Sequence, residues 1–127
     1  MKVTKLTPNL LVEAIEPSLP FWEAAGFEAT TRAPHGDRLG FVILSNGAAE
    51  VMLQTFASVH DDAPQVLGSR EPGSVALFLE VDDVRAFAER LSASPVVVPI
   101  RKTEYGSTEF FVREPGGHLV GFAQFGE

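Results

Sequence analysis

Apolar and polar residues alternate with a period of two along most of this chain, and the alternation is broken twice by a helical period. Lys5–Glu13 (KLTPNLLVE) reads as a strand. Glu16–Phe27 (EPSLPFWEAAGF) reads as a short helix. Pro17 suits its first turn and Gly26 its stop, whereas Pro20 forces a late or irregular start. Three strand candidates follow, FEATTRA, RLGFVILS and AEVMLQTF, separated by the turn chemistry of PHGD and NGA. The order is βαβββ.

Ala57–Gly73 is polar and rich in turn residues, and reads as a linker. The same order then returns. SVALFLEV is a strand. DDVRAFAERLSAS is the clearest helix, with Asp82 or Asp83 as its cap and Val84, Phe87, Ala88 and Leu91 on one face. PVVVPIRK, STEFFVRE and HLVGFAQF are three more strands. Between the last two strands, Pro115-Gly116-Gly117 supplies a tight turn. VEAI at Val12–Ile15 echoes VDDV at Val81–Val84. A five-element order that occurs twice constrains a fold more than any single element does. The expected fold is α+β: two tandem βαβββ modules in one domain, with a curled, trough-like mixed sheet and the helices outside. Module one spans 4–56, the linker 57–73 and module two 74–126.

Composition narrows the function classes. The chain has 127 residues, 45% hydrophobic and 21% charged, as expected of one soluble globular domain. No apolar run has the roughly 20 residues that span a bilayer, and no signal peptide is recognisable at the N-terminus. The absence of cysteine removes disulfides, thiolate metal sites and thiol nucleophiles, and fits a cytoplasmic location. A net charge of −7 argues against nucleic acid and anionic membrane as partners and is compatible with a cationic ligand. There is no Gly-rich phosphate loop and no G-x-S-x-G elbow. Glu50, Glu80 and Glu109 are acid–base candidates only if buried, and surface solvation is the expectation for each.

The repeat, the stretch LLVEAIEPSLPFWEAAGFE and the ending FFVREPGGHLVGFAQF together resemble the vicinal oxygen chelate superfamily. That group includes glyoxalase I, extradiol dioxygenases, fosfomycin-resistance enzymes and bleomycin-resistance binding proteins. The resemblance covers nearly the whole chain and implies paired βαβββ modules around a trough. In the metal-dependent members it also implies four ligands, typically His, Glu or Gln, from the first and last strands of the two modules. Carried over, those positions are Thr7, Met52, Ala76 and Gly121. None is a good ligand for a divalent ion. A shift of one or two residues brings in Ser74, Glu50 or Gln54, but not a full set. The chain's three histidines fall in loops or just after the last turn.

Alternation outward from the carried-over positions lines the trough with Asn9, Leu11, Met52, Gln54, Phe56, Phe78, Glu80, Leu119, Ala123 and Phe125. Phe41 joins them from a neighbouring strand, as does Phe111 or its neighbour Phe110, whose facing alternation leaves open. Gly121, with Ala76 and Ala123, reads as open space. An apolar trough with sparse polar anchors is the profile of a small-molecule pocket. The expected function is binding of a small aromatic or cationic molecule with no metal, no cofactor and no catalytic residue. In character this is closest to the metal-free bleomycin-resistance-like proteins, with antibiotic sequestration as one use. The alternative is a metal-dependent lyase, isomerase or dioxygenase with displaced ligands. The resemblance and the exposed strand edges also imply a homodimer.

Overall fold

The computed structural model describes residues 1–67 and 75–126. Residues 68–74, which hold the end of the expected linker and Ser74, and residue 127 lie outside the described residues. The first half contains β1 (Asn9–Val12), a 3₁₀ turn at Glu16–Ser18, α1 (Leu19–Ala24), β2 (Glu28–His35), β3 (Arg38–Asn46) and β4 (Ala49–Thr55). The second contains β5 (Ala76–Glu80), α3 (Val84–Arg90), β6 (Val96–Lys102), β7 (Ser107–Arg113) and β8 (Leu119–Phe125). Two four-stranded mixed sheets result, ordered β1-β4-β3-β2 and β5-β8-β7-β6. In each, the first strand runs parallel to the last, and the other neighbours are antiparallel. This is the α+β, two-module architecture read from the repeat.

The helix-facing sides of both sheets close one apolar core. Val12, Trp22, Val42, Leu44 and Leu53 from the first module and Val84, Phe110, Val112, Val120 and Phe122 from the second belong to a single cluster. Trp22 meets Phe21 and Phe27 edge-on, at 5.1 and 5.0 Å between ring centres. Phe122 stacks on Phe110 at 5.2 Å and on Phe87 of α3 at 5.4 Å. The facing of Phe110 and Phe111, open from alternation alone, is thereby settled: Phe110 is core and Phe111 is on the other side. The outer edge strands each carry a proline beside a register shift, Pro34 in β2 and Pro99 in β6. Edge strands tolerate the missing donor, and the bulge discourages pairing with another sheet.

The late start required by Pro20 is realised as the 3₁₀ turn that precedes α1. The stretch read as linker differs from expectation in its described part. Phe56–Asp62 forms a helix, α2, followed by a 3₁₀ turn at Pro64–Val66. Thr55 caps α2 by accepting the Ser58 N–H at 3.1 Å. Asp83, in the same way, accepts the Ala86 N–H at 3.1 Å and caps α3. Asp83→Ala is expected to destabilise the protein by about 1 kcal/mol, read from urea unfolding.

The PGG turn joins β7 to β8 and locks the modules together. Gly117 has φ +93°, so a side chain there is strained. At Gly116 the limit is space, because a Cβ would lie 2.6 Å from Val12 Cγ1 in the other module. Beside it, Glu114 is 1% exposed and accepts the His118 N–H at 3.2 Å. The His118 ring contacts the Leu11 carbonyl at 3.0 Å, a polar link between the two halves.

Candidate functional site

The faces turned away from the core carry the residues assigned to the trough. In the first module, Asn9 pairs with Met52, Leu11 with Gln54, and Gln54 with Phe41. Alternation puts Asn9, Met52, Gln54 and Phe41 on one face. Asn9 Nδ2 donates to Gln54 Oε1 at 2.9 Å, and Gln54 Nε2 donates to Ser58 Oγ at 3.1 Å. This chain fixes both amides and ties them to the first turn of α2. Phe56 does not belong with them. The strand ends at Thr55, and Phe56 opens α2 as a buried residue. The helix that starts there breaks the alternation on which its assignment rested.

Glu50 lies one pleat beyond Met52. Lys5 approaches its Oε1 at 2.8 Å and Thr7 Oγ1 donates to the same atom at 3.0 Å. Hydrogen bonding from Lys5, then from Thr7, holds the carboxyl below its ordinary value of 4.5. A lowered folded-state value stabilises the fold above the unfolded value, and this contribution is lost as pH falls through the lowered one. Glu50→Gln is therefore expected to show a smaller drop in Tm between pH 7 and pH 3 than the parent.

In the second module two rows cross the sheet. Phe78 on β5 pairs with Gly121 on β8, which pairs with Phe111 on β7. Two residues further along, Glu80 pairs with Ala123, Ala123 with Glu109, and Glu109 with Arg101. Leu119 pairs with Ala76 at the near end. Phe78 is 53% exposed, and its ring centre lies 6.4 Å from that of Phe111.

The glycine has a different cause from the one alternation suggests. A Cβ at Gly121 would sit 2.7 Å from Cδ2 and Cζ of Phe111. Gly121 does not face open space: it makes room for an aromatic ring lying across its strand. Packing an aromatic over a glycine in register compensates the missing side chain. Glu109 also departs from expectation, since it is buried rather than solvated. Arg101 donates to its Oε2 at 3.3 Å and Ser107 Oγ to its Oε1 at 3.1 Å. The clue in the sequence is that Ser107, Glu109 and Phe111 share a face; the register that brings Arg101 opposite is not legible there.

The four positions that the resemblance implies for a metal are otherwise occupied or carry no donor. Thr7 is engaged with Glu50, Met52 offers a thioether, Ala76 offers nothing, and the place of a fourth ligand is taken by the Phe111 ring. The shifted candidates are also committed, Glu50 to Lys5 and Gln54 to Asn9 and Ser58. His35 and His60 meet Asp61 at 2.7 and 3.4 Å, away from His118 at the module junction. Among the described residues, no group of three or more His, Cys, Asp or Glu side chains is placed to hold a metal ion. The donor set does not fit the divalent centre of the metal-dependent relatives.

A cavity of about 450 Å³ lies at the edge strand β5, lined by both of its faces, Phe78 and Glu80 from one and Leu79 and Val81 from the other, with Phe27 and Asn46 of the first module; Phe111, Gly121 and Glu109 are not among its walls. Among the described residues no helix is long and apolar enough to cross a membrane.

Comparison with known proteins agrees with this architecture. A glyoxalase-related enzyme from Fulvimarina pelagi has TM-score 0.79 at 22% identity, over 96% of this chain and 88% of that one. TioX from Micromonospora sp. ML1 has TM-score 0.74 at 20% identity, over 97% and 99%. A lactoylglutathione lyase from Agrobacterium tumefaciens has TM-score 0.75 at 19% identity, over 98% and 95%. At these identities the likeness concerns the fold. No curated protein matches the chain. The family model for the Glyoxalase/Bleomycin resistance protein/Dioxygenase superfamily matches residues 5–122. A match over nearly the whole length, on a chain with two βαβββ modules, means that this protein belongs to the glyoxalase/bleomycin resistance protein/dioxygenase superfamily.

Proposed function

We propose that this chain is a metal-free small-molecule binding protein of its superfamily, taking an aromatic or cationic ligand in the trough. The observation that carries this reading is the replacement of a ligand set by Thr7, Met52, Ala76 and Gly121, with the Phe111 ring lying over the last. What the residues can do instead is bind. Phe78 and Phe111 offer ring faces, Glu80 offers a carboxylate, and the Asn9–Gln54 pair offers fixed amides. Sequestration of a toxic compound such as an antibiotic is a use that needs only these features.

The alternative, a metal-dependent lyase, isomerase or dioxygenase, is suggested by a structural neighbour named as a lactoylglutathione lyase. It needs donors that are here held by other side chains. A thermal-shift screen across divalent metals, glycopeptide antibiotics and planar cationic compounds separates the two. Stabilisation by the organic compounds alone supports binding, and stabilisation by one divalent metal at micromolar concentration supports the enzyme.

A homodimer is part of the same proposal. Phe78, Val75 and Phe125 are more than two-fifths exposed, at 53%, 73% and 45%. A second copy facing the trough would cover them and deepen the site. Light scattering at micromolar concentration is expected to give twice the chain mass, and a monomer would contradict the shared site.

A further inference from the structure

We infer that the first module carries an acyl-transfer site where α2 meets the end of β2, with Ser58 as nucleophile, His35 as its base and Asp61 holding the histidine. This is an activity beyond ligand binding, and it needs no metal. Ser58 and Asp61 are three residues apart on α2, so both lie on one face of that helix. His35, the last residue of β2, lies against that face, and its Nε2 meets Asp61 Oδ2 at 2.7 Å. Gly40 provides the room for this approach. A Cβ there would stand 2.5 Å from His35 Cβ and 3.3 Å from Ser58 Cβ, so the two side chains are rooted around one point. Gly40 is also the unpaired residue of the β2–β3 irregularity, since Ala33 pairs with Phe41 and Pro34 with Leu39. Bulges of this kind re-aim a side chain, here that of His35 toward α2.

Each group is set for its role by its partners. Hydrogen bonding from His35, then from His60, holds the Asp61 carboxyl below its ordinary value of 3.8, so it is ionised at neutral pH. An ionised carboxylate at Nε2 fixes the proton of a neutral imidazole on that nitrogen and leaves Nδ1 as the acceptor. Ser58 Oγ accepts from Gln54 Nε2 at 3.1 Å, and among the described residues its own hydrogen goes to no acceptor. Ser58 and His35 are not hydrogen-bonded to each other in the structure; such contacts close when substrate binds. The Gln54 amide is itself fixed by Asn9 at 2.9 Å, which places a side-chain donor beside the nucleophile, where negative charge develops in acyl transfer.

The reaction balances. Ser58 Oγ bonds to the acyl carbon as its proton passes to His35 Nδ1. The bond to the leaving alcohol breaks, and His35 returns the proton to it. Water then attacks the acyl-serine and releases the acid. Ser58 is half-buried, and the side chains of His35 and Asp61 are 37% and 65% exposed, so little encloses the acyl group. The substrate class is therefore an activated ester of a short acyl chain.

Hydrolysis of p-nitrophenyl acetate tests this. The parent is expected to show a burst of nitrophenol and to carry an acetyl group on Ser58, read by mass spectrometry of the quenched protein. Ser58→Ala is expected to abolish the acetyl-enzyme. His35→Gln is expected to slow acetylation about 100-fold, as for loss of a general base. Asp61→Asn, which touches His35 and not the ester, is expected to lower kcat and leave KM unchanged. All three side chains are exposed or half-buried, so the variants should keep the parent's Tm. Labelling of the parent with an alkyl fluorophosphonate needs no variant and is expected at Ser58. Acetylation confined to lysines or the N-terminus, hydrolysis unchanged by Ser58→Ala, or no label on Ser58 overturns the inference. Ligand binding in the trough is measured separately and stands or falls on its own.

Discussion

Phe122→Ala is expected to lower stability by roughly 3–5 kcal/mol, the largest effect of any single change considered. Phe122 is 0% exposed and is sandwiched between Phe110 of β7 and Phe87 of α3. Its loss removes both stacked contacts and leaves a cavity between sheet and helix, at a cost that grows with the volume the surroundings do not refill. Against a total stability of about 5–15 kcal/mol for a domain, the variant is left marginal. Its Tm should fall by roughly 10 °C or more. A Tm within a few degrees of the parent would mean that the second module does not depend on this stack.

Gly121→Leu is expected to have two effects: a loss of about 1–3 kcal/mol of stability and loss of ligand binding in the second module. The new side chain would enter the volume of the Phe111 ring, which must swing away from β8. Because that ring is half-buried at the trough side, it has somewhere to go, and the fold should survive. The pairing makes a sharper test than the single change. Adding Phe111→Ala to Gly121→Leu should restore much of the lost stability, because the clash disappears with the ring, and it should not restore binding. The two substitutions are thus expected to be strongly non-additive. Additive behaviour would show that Gly121 and Phe111 do not share one space.

Gly121 also illustrates how far the sequence carries. Alternation in HLVGFAQF places it on the trough face, and β8 has that facing. The reason for the glycine lies ten residues back in the chain, in the β7–β8 register that sets Phe111 opposite. Alternation assigns faces, whereas inter-strand register depends on turn geometry and packing, so the open space inferred from Gly121, Ala76 and Ala123 had no access to the ring that fills part of it. Glu109 fails for the same reason: its face was legible, its partner Arg101 was not. The repeated βαβββ order and the apolar face of α3, Val84, Phe87, Ala88 and Leu91, are legible because both rest on local periodicity. Helix α2 was hidden by its composition. Ala57–Asp62 has no apolar stripe long enough to signal a helix, and only Thr55, three residues before Ser58, marks its start.

The absence of a ligand set is the point on which the functional reading turns, and elemental analysis of the purified protein tests it most directly. The protein should be incubated with nickel, zinc, manganese and iron(II), dialysed against metal-free buffer, and measured for metal per chain. Thr7, Met52, Ala76 and Gly121 predict far less than one equivalent of any of them, since one engaged hydroxyl and one thioether make no divalent site. Close to one metal per chain, retained through dialysis, would contradict the account and return the protein to the metal-dependent enzymes of its superfamily.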